Sequence, residues 1–253
     1  MRNRLIIIRH NDCELIRGLG GNSLPEHTHK SFTLVLIRRG SLIISLNGME
    51  YSAKAGTAVI LPPDNSISLK AGGIYAYESL SVHRQMCGRI MAYLSDRPVL
   101  FKDPGFIGEL FRSFKDMSSE DDFIDRLGGF LQNYVTVERN EKDTSGVVKK
   151  ATDYIENHIR DGISITDVAT SLHVTTGYLA RAFKKAMKIT PKQYLIQCRL
   201  REARKELEDN VSCADIAYET GFSSQSHFCT VFKKYMGISA GDYTGIINQK
   251  NGW

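Results

Sequence analysis

Two stretches place polar side-chain tips ahead of paired lysines at helical spacing. Residues 176–187 read TGYLARAFKKAM and residues 225–236 read QSHFCTVFKKYM. In the first, Leu179, Ala182, Phe183 and Met187 recur at the period that buries one helix face, leaving Gly177, Ala180, Arg181, Lys184 and Lys185 outward. In the second, Phe228, Phe232 and Met236 face in, while Gln225, Ser226, His227, Thr230, Lys233 and Lys234 face out. Such faces suit a DNA groove, because outward residues early in the helix reach base edges and later cations lie near phosphates. Arg181 matches guanine O6 and N7 with a two-armed guanidinium, and Gln225 matches adenine in the same bidentate way. The alternatives are a solvated or phosphate-bound Arg181 and a solvated cationic face at Lys233 and Lys234.

Each of these helices needs a partner to hold it. Ser164, with Asp167 three residues later, caps a short helix whose Ile165, Val168, Ala169 and Leu172 face in. The turn His173-Val174-Thr175 leads to the first candidate recognition helix. Ser212, Asp215, Ile216 and Ala217 repeat the pattern at a spacing of about 48 residues, with Gly221 supplying a turn one residue longer. Thr190-Pro191 is an N-cap followed by Pro at the first helical position, opening a helix to Leu207 with Tyr194, Leu195, Cys198, Leu200, Ala203 and Leu207 on its apolar face. A helix of about 17 residues spans roughly 25 Å, enough to hold two units near one DNA turn apart, about 34 Å. A leading helix over 147–160 completes an all-α domain of seven helices.

The N-terminal half has period 2. Phe32 to Ile67 alternates β-rich runs with turn signals, and Asn47-Gly48 predicts a two-residue hairpin because a type I′ turn needs positive φ at both central positions. Pro62-Pro63-Asp64 marks a further turn. Short strands at this spacing predict a small antiparallel barrel or sandwich. Amphipathic helices follow over 84–94, 104–117 and from Ser119 onward, the last two carrying stripes of Phe106, Ile107, Leu110, Phe111 and Phe114, and of Phe123, Ile124, Leu127, Phe130, Leu131 and Tyr134. Helices outside a small barrel also suit homodimer formation, expected through residues 84–138. Residues 139–146, RNEKDTSG, are polar without either period and read as a linker between domains 1–138 and 147–253.

Composition fits this division. The 253 residues are 42% hydrophobic and 24% charged, ordinary for a folded chain of two domains. The apolar run near the start, Leu5 to Ile8, is too short for a signal or spanning segment, so a cytoplasmic protein is expected. Cys13, Cys87, Cys198, Cys213 and Cys229 are odd in number and lack a CxxC pair, which suits reduced apolar fillers. Of the formal net charge of +5, most falls from residue 146 onward, where 15 Lys and Arg face 11 Asp and Glu, and a polyanion partner suits that half.

Two resemblances sharpen these readings. Gly21, His27, His29, Thr33 and Gly40, with Gly56 and Pro62, resemble the two motifs of cupins, implying a cupin-like antiparallel β-barrel. Thr33, Asp64 and Ile67 stand where the metal-binding version has Glu, Gly and its last His. Two histidines without the other ligands make a poor metal site, so neither metal nor cofactor is expected, and His27 and His29 become candidates for lining an effector site or for solvent exposure. From Val147 to Tyr243, Ile216-Ala217, Gly221-Phe222, Phe228, Phe232-Lys233-Lys234, Gly237-Ile238-Ser239 and Tyr243 resemble the AraC family of bacterial transcription regulators. Leu179, Phe183-Lys184-Lys185 and Pro191-Tyr194 carry the same resemblance in the first unit. It implies an α+β chain binding double-stranded promoter DNA, most often to activate transcription with RNA polymerase, with the N-terminal half sensing an effector or dimerising, and no enzymatic activity. Ala240, Thr244 and Thr230 depart from the family's usual Pro, Arg and Arg. The competing readings are a cupin-type metal-dependent enzyme and an antagonist that pairs with a related regulator without binding DNA.

Overall fold

The computed structural model describes residues 4–10, 12–83, 90, 98–103, 105–114, 116–117, 119–134 and 146–248. By internal contacts the chain divides into two units, Met1–Ser23 with Thr28–Glu141, and Lys142–Trp253, with which the short segment Leu24–His27 groups.

The first unit is β-rich. Strands β1 (Arg4–His10), β2 (Cys13–Gly20), β3 (Leu24–Thr28), β4 (Phe32–Arg39), β5 (Ser41–Leu46), β6 (Met49–Lys54), β7 (Thr57–Leu61), β8 (Ser66–Ala71), β9 (Tyr75–Val82) and β10 (Val99–Lys102) form two sheets. Their orders are β1-β2-β9-β4-β7-β10 and β3-β8-β5-β6. Among the described residues the expected barrel is therefore two sheets rather than one closed ring, with β1 and β10 at the edges of the first and β3 and β6 at the edges of the second. The β5–β6 hairpin turns at Asn47 and Gly48, with φ of 51° and 85°, and Leu46 pairs with Met49, as a type I′ turn requires. Asn65, fully buried, holds the Pro62-Pro63-Asp64 turn by donating to the carbonyls of Pro62 (3.0 Å) and Pro63 (3.3 Å) while accepting from Asn47 (2.8 Å).

Alternation along the strands assigns the two faces of the larger sheet. Cys13, Leu15, Phe32, Leu34, Leu36, Ala58, Ile60, Leu80 and Val82 pack with Ile107, Leu110, Phe111 and Phe114 of the α1 region (Phe106–Ser113) and with Phe123, Ile124, Leu127, Phe130 and Leu131 of α2 (Glu120–Tyr134). Each such burial contributes roughly 2 kcal/mol against chain entropy. The apolar stripes of both helices are thus spent on this core, and the outward face of α2 is Asp121, Asp122, Asp125, Arg126 and Gly129. The helix expected over 84–94 lies outside the described residues except for Ile90, which is helical and buried, as do 139–145 of the expected linker; Gly146 already opens a helix.

From residue 146 the chain is helical, with seven helices among the described residues as expected. They are α3 (Gly146–Asn157), α4 (Ile165–Ser171), α5 (Thr176–Met187), α6 (Pro191–Glu208), α7 (Cys213–Glu219), α8 (Gln225–Met236) and α9 (Ala240–Asn248). Helix α6 joins the halves: its Tyr194, Leu195 and Cys198 pack with Val148, Ile155, Val168, Leu179 and Phe183, and its buried Leu200, Ala203 and Leu207 continue toward the second half. Cys13 and Cys198 are buried, Cys213 and Cys229 half-buried, and Cys87 lies outside the described residues. No described helix is long and apolar enough to cross a membrane.

Candidate nucleic-acid interface

The two helix-turn-helix units are built from the same local devices. Ser164 Oγ accepts from Asp167 N and the Asp167 carboxylate accepts from Ser164 N, closing a capping box on α4. Those bonds favour the ionised acid and hold the Asp167 carboxyl below its usual range. In the second unit Ser212 accepts from Asp215 N at 3.2 Å to cap α7. Both turns then pass through the left-handed region, at His173 (φ 53°) and at Gly221 (φ 73°). Val174 N closes the first turn on Ala169 O at 3.0 Å, and Phe222 N closes the second on Ala217 O at 2.8 Å. The same conformation costs a residue with a Cβ about 1 kcal/mol that glycine does not bear, so the second turn is the less strained copy.

Thr175 caps α5 by accepting from Tyr178 N, and Ser224 caps α8 by accepting from His227 N at 3.1 Å. Leu179, Phe183 and Met187 bury one side of α5, and Phe228 and Phe232 one side of α8. Gly177, Arg181, Lys184 and Lys185 are exposed, while Ala180 is half-buried rather than outward. Lys184 Nζ donates to the carbonyl of Lys188, so its charge sits at the helix C-terminus. On α8 Gln225, Ser226, His227, Thr230, Lys233 and Lys234 are all exposed on one helix, and Met236 is half-buried rather than core. The His227 ring is held edge-on against Phe222, centroids 5.5 Å apart, with Nδ1 2.9 Å from Ser223 Oγ. These two contacts orient the ring.

Two exposed aromatics escaped the sequence reading. Tyr178 is 46% exposed three residues before Arg181, and Tyr218 is 87% exposed on α7. The available signal was an aromatic on an otherwise polar face, which resembles an ordinary core position until the neighbours are placed.

His27 lies on β3, its Nδ1 2.8 Å from the carbonyl of Pro25, and burial lowers its pKa. His29 follows that strand and is half-buried. Among the described residues no group of three or more His, Cys, Asp or Glu could hold a metal ion. The face of β4 and β9 opposite the helices carries buried Thr33, whose Oγ1 is 3.5 Å from Ser81 Oγ, and the stacked pair Tyr75 and Tyr77. Gly18 makes room for Tyr77, since a Cβ there would fall 2.2 Å from its ring.

Comparison with known proteins agrees with this geometry. Residues 15–128 match the family described as AraC-like ligand binding domain, and residues 168–245 match a helix-turn-helix domain family. An uncharacterised HTH-type transcriptional regulator of Bacillus subtilis, YbfI, is 24% identical over 221 residues, covering 80% of each chain. The melibiose operon regulatory protein of Escherichia coli is 32% identical over 104 residues, 41% of this chain and 34% of that one. Among solved structures, ToxT from Vibrio cholerae O395 shares the fold with a TM-score of 0.65 at 13% identity, over 96% of this chain and 100% of that chain.

Proposed function

This chain belongs to the AraC family of DNA-binding transcriptional regulators, and from that premise we propose that α5 and α8 enter successive major grooves on one face of promoter DNA. The observation that carries this reading is the duplicated geometry: two capped helices, two left-handed turns and two exposed polar faces, joined by one 18-residue helix. In the proposal Arg181, Gln225, Ser226, His227 and Thr230 face bases, and Lys184, Lys185, Lys233 and Lys234 face phosphates. The α8 unit carries the denser set of polar tips and dominates sequence choice. With few base-reading side chains on α5, phosphate contacts and DNA deformation contribute a large share.

The finer assignments rest on the same reading. Residues 1–138 sense a small-molecule effector near His27 and His29 or dimerise through the helices of 84–138, using the polar outer face of α2. Residues 139–146 link that domain to 147–253. The protein acts in the cytoplasm at the nucleoid, activates transcription through RNA polymerase, and is not an enzyme. Salt-titrated binding to sites selected from a random DNA library tests the core of the proposal. Log K falling steeply and linearly with log salt on a two-part site is the expected result. Absence of any selected site, with bound metal in the purified protein, points instead to the cupin-enzyme reading.

A further inference from the structure

The two units touch at a small seam beside the middle of α6. Gly162 (φ 66°) lies in the entry to the first unit and Gly221 (φ 73°) in the inner turn of the second. A Cβ on Gly221 would fall 3.2 Å from Gly162 Cα and 2.9 Å from Arg199 Nη2, so the second turn comes this close because residue 221 lacks one, whereas a Cβ on Gly162 would meet nothing within 4 Å. Arg199, on α6, donates from Nη2 to the carbonyl of Ile163 at 2.9 Å, one residue before the Ser164 cap. Its guanidinium carbon also lies 5.9 Å from the centre of the Phe222 ring. One side chain thus holds the first residues of one unit and the turn of the other. Outside the seam Arg160 reaches Glu206 and, at 3.8 Å, Glu202 on α6, and Glu219 on α7 at 3.3 Å.

We infer that Arg199 is a positioning residue that fixes the distance and rotational phase between the two recognition helices, with Arg160 as a second, solvent-screened tie. The inference rests on the two-groove reading above. Neither arginine needs to touch DNA for this role. The helix α6 alone sets the length of the connection, but a single helix leaves each unit a rocking motion about its packing contact. The seam lies off the helix axis and removes that freedom. Specificity then includes the spacing of the two half-sites as well as their bases. Each inserted base pair moves a half-site by about 3.4 Å and turns it by roughly 35°, which a locked pair of helices cannot follow.

The test uses the full chain on three duplexes: the library-selected two-part site, the same site with one base pair inserted between its halves, and a single half-site in random flanks. The wild type is expected to lose roughly tenfold in affinity on the inserted site, comparable to a mismatched base pair. Arg199→Met, which keeps the stem and removes the donor, is expected to lose less than about threefold on insertion while binding the single half-site as the wild type does. Arg199→Lys, which cannot span both contacts, should resemble Arg199→Met. A wild-type spacing penalty in Arg199→Met overturns the inference, and so does an equal loss on all three duplexes, which would mark a merely structural residue. Should Arg199→Met not fold, Arg160→Gln decides: a reduced insertion penalty supports the tie, and an unchanged one overturns it. A wild type indifferent to the insertion refutes the two-groove reading itself, a separate outcome from failure of the arginine.

Discussion

Arg17 on β2 and Glu78 on β9 stand directly opposite each other in the antiparallel ladder, with Arg17 Nε donating to Glu78 Oε1 at 2.7 Å. Arg38 on β4 donates to the other carboxylate oxygen, so one buried acid, its side chain 9% exposed, is shared by two arginines from the flanking strands. The same arginines reach the carbonyls of Phe111 and Gly108 on α1, both at 3.3 Å. The triad therefore pins α1 to the sheet.

Replacing Glu78 with Gln leaves two cations facing a neutral group at the edge of the core. Removing one member of a buried pair costs several kcal/mol, but both arginines are about one-third exposed and rehydrate partly. A loss of about 1 to 3 kcal/mol is expected in the unfolding of the N-terminal unit by urea. DNA affinity of the isolated event at α8 should not change, and a variant as stable as the wild type would refute the role assigned to the triad.

Arg181→Ala and Gln225→Ala are each expected to relax base preference at one or two positions and to cost about 1 to 3 kcal/mol on the selected site. Library selection repeated with each variant checks this. Two selected motifs identical to that of the wild type would sink the base-reading assignment.

Alanine at Lys185, Lys233 or Lys234 should weaken binding to all sequences alike. Each loss of a phosphate contact lowers the steepness of log K against log salt by about 0.9. An unchanged slope would show that the lysine in question lies on a solvated face.

The capping box predicts a pH effect with a definite sign. The Asp167 carboxyl is depressed in the folded state by the bonds from Ser164. Its contribution is therefore complete above the unfolded pKa, near 3.8, and disappears as pH falls through the lower folded value. Asp167→Asn should melt below the wild type at neutral pH, with the gap closing as pH falls under about 4. A gap independent of pH would mean that the charge plays no part in the cap.

Much of the DNA-binding half was legible because its determinants are local. Caps at Ser164, Thr190-Pro191 and Ser212, the three-to-four-residue apolar period and the positive φ at Gly221 each depend on residues within one or two turns. The Asn47-Gly48 hairpin was legible for the same reason. Long-range placement was not. Glu78 meets Arg17 across 61 residues of chain, and Arg199 meets Ile163 across 36, with no periodicity to announce either contact. Only tertiary structure decided that the strands lie in two sheets rather than a closed barrel, that Ala180 and Met236 are half-buried, that Tyr178 is exposed, and that the missing side chain at Gly221 lets the helix-turn-helix units touch. Local patterns are set by backbone sterics and the apolar period, whereas these features depend on which surfaces meet after the chain has closed.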